Sequence, residues 1–168
     1  FLHRCFGKQP FTLLDIGSGN QSATKTVALF PGCSYYGLDL SREYNNNPAD
    51  FAVMKDFYEM DLTLLKFDSI PDGFFDAIFL VHVIEHLYNG DAVLAGLLPK
   101  LKPGGFLYVE YPGVKSTRLP SMKGTLNYFD DSTHVRIYSV KELTSLFESK
   151  NCRVVRSGLR RSWFYVLM

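Results

Sequence analysis

The chain has 168 residues, 46% of them apolar and 21% charged, with 18 Lys and Arg against 17 Asp and Glu. That length suits one domain with a sizeable core and needs no disulfide or metal staples. The composition excludes disorder as the main state. A net charge of +1 excludes bulk charge as a means of holding nucleic acid or an anionic membrane.

The elements read in order as alternating strands and helices. Residues 11–16, FTLLDI, are a buried strand that runs into Gly17-Ser18-Gly19, a tight turn. Ala23, Val27 and Phe30 have helical spacing, so residues 21–30 are predicted as a helix stopped by Pro31-Gly32. Residues 34–40, SYYGLDL, read as a second strand ending near Asp39, and 41–50 as loop. A third strand is placed near 57–60. Residues 75–83, FDAIFLVHV, are apolar at almost every position, as a central parallel strand should be. A helix over 91–101 ends at Lys102-Pro103-Gly104-Gly105, and 106–111 form another strand. Residues 112–138, rich in Gly, Pro, Ser and Thr, read as a long excursion of the kind that often carries function. Ser139 and Glu142 form a capping box for an amphipathic helix through Leu143, Leu146 and Phe147. Two closing strands are expected near 152–158 and 162–168.

Such alternation implies a parallel sheet covered by helices on both faces, with ligands beyond the C-terminal ends of the strands. The polar residues fall at those ends. Gly17 and Gly19 let the backbone pass close to a ligand. Asp39, twenty residues beyond Gly19, can hydrogen-bond the ribose hydroxyls of an adenosine. Asp15 would repel a pyrophosphate and attract an ammonium or sulfonium. Ser22 also stands where a dinucleotide turn has its third Gly or Ala. Both points favour S-adenosylmethionine over a nicotinamide dinucleotide.

In series, LLDIGSGN, YYGLDLS, MDLTLLKF, FFDAIFLVHVIEHL, LLPKLKPGGFLYVEYP and THVRIYSVKEL resemble the motifs of class I S-adenosylmethionine-dependent methyltransferases, the last being similar to the small-molecule branch. The resemblance covers about 11–155. It implies a Rossmann-like three-layer α/β sandwich around a seven-stranded, mostly parallel sheet with an antiparallel C-terminal strand. It implies one domain over 1–168, with the family's N-terminal helices short or missing. By position, Asp15, Ile16, Gly17, Ser18 and Gly19 would cradle the methionine end of the cofactor. Asp39 would hold the ribose and Leu40 would pack on the adenine. Asp61, with Asp56 as alternative, would receive the adenine amino group beside Leu62. Val81 and His82 would lie under the methyl-bearing sulfur. Asn20 stands in place of the first motif's usual third glycine.

Methyl transfer asks chiefly for alignment of the two reactants. An O or N acceptor must also lose a proton, and His134 and His82 are the candidate bases. Glu85 and His86 read as a cap or an internal salt bridge as readily as catalytic groups. Gly104-Gly105 and Asp76 read as structural.

The expected partner is a small-molecule acceptor. The chain has no basic face, no Asn/Asp-Pro-Pro-aromatic motif and no Pro-Cys nucleophile, so neither nucleic acid nor a membrane is expected. Cys5, Cys33 and Cys152 form no C-x-x-C, so no metal site or disulfide framework is expected, and a cytoplasmic location suits free thiols. No apolar run approaches the ~20 residues of a membrane span, and the opening FLHRCF has no signal-like apolar segment. Two rival readings stay open at this point: a cofactor-binding module that needs a partner chain for turnover, and an NAD(P)-dependent oxidoreductase.

Overall fold

In the computed structural model, which describes residues 1–44, 47–121 and 127–159, the first apolar run is β1 (Phe11–Ile16). Phe11 and Leu13 are buried on one face, Leu14 and Ile16 on the other. A strand without a solvent face belongs inside a sheet. β1 accordingly pairs in parallel with β2 (Cys33–Asp39) on one side and β4 (Phe75–Val81) on the other. β3 (Asp56–Glu59) and β5 (Leu101–Glu110) complete a five-stranded parallel sheet of order β3-β2-β1-β4-β5.

Helices cover both faces. α1 (Leu2–Phe6), α2 (Ser22–Leu29) and α3 (Pro48–Val53) bring Leu2, Ala23, Val27 and Val53 against Leu13, Tyr35 and Ala77. α4 (Gly90–Leu97) and α5 (Val140–Ser149) bring Val93, Leu94, Leu97, Leu143 and Phe147 against Leu14, Ile16, Ile78 and Leu80. The capping box at Ser139 and Glu142 opens α5 as expected.

Of the expected seven-stranded sheet with an antiparallel closing strand, the described residues show five strands, all parallel. Residues 152–158 form no strand: the chain leaves α5 through Asn151 at φ +59°, and Val155 is 65% exposed with no ladder to join. The other expected closing strand, 162–168, lies outside the described residues.

Two further boundaries move for local reasons. The segment read as loop at 41–50 begins α3, where Asn47 accepts a hydrogen bond from the Ala49 N–H and Pro48 fills the first helical position. α4 stops at Leu97 rather than 101 and tightens into a 3₁₀ turn over Leu98–Lys100, because Pro99 has no N–H to continue an α-helix. No helix among the described residues is long and apolar enough to cross a membrane.

Asp76 bolts β4 to β1 and β5. Its carboxylate accepts hydrogen bonds from the Thr12 N–H and hydroxyl at 2.7 Å each, and from Lys102 Nζ at 2.8 Å. Burial pushes the Asp76 carboxyl up, but Lys102 and Thr12 outweigh it and hold the group below the usual carboxylate range. Asp76→Ala should therefore cost ~1.5–3 kcal/mol in chemical denaturation at neutral pH. A depressed carboxyl stabilises above its unfolded value near 3.8, and that contribution is lost as pH falls through the folded value. The gap between wild type and variant should accordingly narrow in strong acid.

Candidate functional site

β1 and β4 are neighbours, and the chain leaves them for helices on opposite faces. A crevice opens where those exits diverge. At the end of β1, Gly17 adopts φ +70° and its N–H donates to the Leu38 carbonyl at 2.8 Å. A Cβ on Gly17 would stand 2.4 Å from Val83 Cγ2, so this turn closes only around a glycine. A Cβ on Gly19 would meet nothing within 4 Å, so that edge of the turn faces open space. Ser18 is buried between them, against Gly37 of β2.

The start of α2 distinguishes the ligand charges that this turn can accept. Gln21 sits in the left-handed region at φ 68° and offers no side-chain cap. The cap comes instead from α3. Buried Asp50 accepts from the Gln21 N–H at 2.6 Å, the Thr24 N–H at 2.9 Å and the Thr24 hydroxyl at 2.8 Å. A helix N-terminus after a Gly-rich turn is where a pyrophosphate would bind. Here a protein carboxylate already takes those donors, and Asp15 adds a second negative charge at the turn. The crevice suits a cation and opposes a dinucleotide.

Asp15 points to the side of the sheet that holds Tyr35, whose buried hydroxyl donates to Asp15 Oδ2. Burial pushes the Asp15 carboxyl up to about 6; the Tyr35 hydrogen bond opposes that shift and the charge of Asp39 adds to it. Asp39 ends β2, one strand over. Burial raises its carboxyl too, offset in part by the Leu40 N–H, which donates to Oδ1 at 2.7 Å. Leu40 is 53% exposed beside it, an apolar surface at the mouth.

Asp61 caps the short turn Leu62–Leu64, accepting from the Thr63 N–H at 2.8 Å and the Thr63 hydroxyl at 2.6 Å, while Leu62 is buried beneath. Asp56, its alternative, opens β3 opposite Tyr36, midway along β2 and three residues short of the strand end where Asp39 stands. Asp61 follows the C-terminal end of the same strand.

Val81 ends β4, and His82 takes φ +56°, its N–H donating to the Glu110 carbonyl at 2.9 Å. His82 Nδ1 lies 3.2 Å from Glu85 Oε1, with the ring side chain 57% exposed. The Glu85 hydrogen bond raises the His82 pKa, with burial opposing and the charges of Glu85 and Glu110 adding.

His134 comes from the long excursion and meets the same carboxylate. Its Nε2 stands 3.9 Å from Glu85 Oε1, its Nδ1 lies 2.6 Å from the Tyr128 carbonyl, and its side chain is only 11% exposed. The excursion is pinned there by the Val135 and Arg136 N–H groups, which donate to the Glu85 carbonyl at 2.8 and 3.2 Å. Arg136 continues the clamp, pairing with Asp91 at 3.0 Å and with Glu142, and lying 4.4 Å over the Tyr138 ring.

The structure thus gathers Asp15, Ile16, Gly17, Ser18, Gly19, Asp39 and Leu40 at the ends of β1 and β2, and Val81, His82 and His134 at the end of β4. Sequence reasoning passed over Asp50, Tyr35 and Val83, and weighed Glu85 as a cap or salt bridge. Glu85 is the group that brings His82 and His134 together. Asn47-Pro48 signalled the helix that carries Asp50; nothing in the sequence signalled that Asp50 would cap α2.

Known proteins align with this geometry. A 33% identical match over 98 residues to a demethylmenaquinone methyltransferase of Tropheryma whipplei covers 58% of this chain and 40% of that protein. A match to methyltransferase str3 of Strobilurus tenacellus is 31% identical over 103 residues, with shares of 61% and 35%. A sterol 24-C-methyltransferase of Kluyveromyces lactis is 26% identical over 102 residues, with shares of 58% and 27%. This chain therefore spans less than half the length of these relatives. Among solved structures, the plantazolicin methyltransferase BpumL in complex with SAH superposes with a TM-score of 0.68 at 21% identity, covering 88% of this chain and 58% of that one. A SAM-dependent methyltransferase from Archaeoglobus fulgidus gives 0.64 at 22% identity, covering 88% and 64%. At such identities these structures speak for the fold. The family described as a methyltransferase domain matches residues 1–157, nearly the whole chain with its Gly-turn, strand-end carboxylates and pinned excursion, and the protein belongs to that family.

Proposed function

We propose that the crevice binds S-adenosylmethionine and that the chain transfers its methyl group to an O or N atom of a small-molecule acceptor. The observation that carries this reading is the pair of carboxylates at the Gly-turn. Asp50 occupies the donors that a pyrophosphate would need, and Asp15 favours a positively charged ligand. The cofactor, when bound, supplies an activated methyl group on a sulfonium. Gly17, Ser18 and Gly19, with Asp15 and Ile16, hold its methionine end; Asp39 holds its ribose and Leu40 its adenine face. Asp61 and Leu62 border the adenine, and Val81 and His82 floor the transfer site. The small-molecule assignment draws on the relatives named for sterol and menaquinone substrates, and on exposed Phe129 and Val135 lining the depression beside His134.

His82 stands exposed at the strand end with one ring nitrogen fixed by Glu85, so its other nitrogen is presented to the acceptor. We assign it as the proton acceptor for an O–H or N–H nucleophile. His134, nearly enclosed and committed to the Tyr128 carbonyl, stands 3.9 Å from Glu85 and holds the excursion in register with the strand end.

Titration of the protein with S-adenosylhomocysteine, with NADH in parallel, tests the cofactor. Binding of the first alone is expected; binding of NADH alone would overturn the reading. Asp39→Ala should weaken that binding by ~1.5–3 kcal/mol, the scale of a hydrogen bond to a charged group. Affinity should also depend on pH through Asp15. The ammonium of the methionine end, which S-adenosylhomocysteine shares with the cofactor, needs the carboxylate, so affinity should be flat above neutral pH and fall as pH drops through about 6, by up to ~tenfold per unit. Asp15→Asn should flatten that profile. It should also raise the stability of the ligand-free protein at neutral pH, because a carboxyl raised above its unfolded value of 3.8 costs stability once it ionises. His82→Gln keeps the backbone under the cofactor; it should leave cofactor affinity in place and slow transfer to a hydroxyl or amine acceptor by ~10²–10⁴-fold.

A further inference from the structure

We propose that Glu85, His86 and His134 form a site for a divalent first-row transition cation. The three residues come from two segments, the turn after β4 and the long excursion, and their ligand atoms all lie within 4.8 Å of one another. Glu85 is 1% exposed. One of its oxygens faces His82 Nδ1, and the other, Oε2, has no hydrogen-bond partner among the described residues. Half of a buried carboxylate is thus left without a positive group, a costly arrangement unless something else occupies that side.

The tautomer of His134 sharpens the case. The Tyr128 carbonyl can only accept, so Nδ1 at 2.6 Å carries the ring hydrogen. Nε2 is left to present a lone pair, the form in which imidazole binds a metal. Around it stand Glu85 Oε1 at 3.9 Å and Asp131 Oδ2 at 3.8 Å. Both separations are too long for hydrogen bonds. Two donors sharing one ion at metal–ligand distances near 2.1 Å lie about 3.4 Å apart at a tetrahedral angle and about 4.2 Å apart when opposed. The Glu85–His134 spacing of 3.9 Å falls between these values, and the set as a whole, within 4.8 Å, closes onto one ion with a small side-chain adjustment.

The supporting contacts have the form that metal sites use. A backbone carbonyl orients His134, and Thr133 orients His86, with its hydroxyl 2.9 Å from Nδ1. The backbone bonds from Val135 and Arg136 to the Glu85 carbonyl lock the two segments together. Two imidazoles and a carboxylate suit Mn²⁺, Fe²⁺, Co²⁺ or Zn²⁺ rather than Ca²⁺ or Mg²⁺. His134 and Asp131 also line the depression that reaches solvent, so the cation keeps coordination positions open on that side.

Mn²⁺ is the probe, since it avoids the thiols of Cys5, Cys33 and Cys152 that would confuse Zn²⁺ added alone. Titration of the whole chain, followed by loss of the free Mn²⁺ electron paramagnetic resonance signal, should give one ion per chain. Zn²⁺ should displace it, as the ordinary affinity order requires. Enhanced water-proton relaxation should report the open positions. Glu85→Gln and His86→Asn should each weaken Mn²⁺ binding by ~tenfold or more, while an unchanged circular dichroism spectrum and cooperative melt show that the variants are folded. Unchanged free Mn²⁺ with excess metal, binding that Zn²⁺ cannot displace, or variants that bind as wild type would overturn the site; absent relaxation enhancement would overturn its open positions. None of these readouts passes through methyl transfer, so the site and the transfer reading fail separately.

Discussion

Parallel pairing of β1 with β4 sets where this protein can do chemistry. The two strands sit side by side, yet the segments that follow them travel to opposite faces of the sheet. A gap opens between their ends. Its width is set where Val83 packs against Gly17, leaving no room for a Cβ there. That wedge fixes how closely the turn after β1 approaches the turn after β4, and so ties the Gly-turn half of the crevice to the half that carries His82 and Glu85.

Around this gap, burial distributes four carboxylates among different tasks. Asp50 is buried and saturated by α2's backbone and Thr24, so its charge is structural and closes the helix end to anions. Asp15 is raised by burial and answered by a neutral hydroxyl, which leaves it responsive to a cation. Asp39 keeps a single backbone donor at the mouth. Glu85 is nearly as enclosed as Asp50, yet one of its oxygens has no hydrogen-bond partner among the described residues; two histidines converge on it, and a cation fits there. Each carboxylate has its own set of partners, and the partners decide its role more than the residue type does.

The long excursion has a related logic. Its residues make few core contacts of their own, and a segment that rich in polar residues gains little from burial. It is positioned by hydrogen bonds to one carbonyl, that of Glu85, and by Arg136, which reaches α4, α5 and Tyr138 together. Among the described residues the excursion holds only short 3₁₀ turns, Val114–Arg118 and Tyr128–Asp130, and the clamp brings His134 to the strand end.

Much of the fold was legible from the chain itself. Runs such as FTLLDI and FDAIFLV are apolar on both faces, and such strands have to be central and parallel. Gly17, Gly19, Asp15 and Asp39 could be read as ligand-facing because the ends of parallel strands are where backbone and charge become available. The Ser139–Glu142 box announced its helix because capping is a local interaction. What the sequence could not determine depends on residues distant in the chain. Asp50 caps a helix 29 residues away, and His134 meets a glutamate from another segment. Whether 152–158 would pair as a strand turned on whether an edge lay within reach, which alternation of side chains does not encode. Local propensity and periodicity act over a few residues and can be read in order; charge partnership and metal-ligand geometry act through space, and only the tertiary structure decides them.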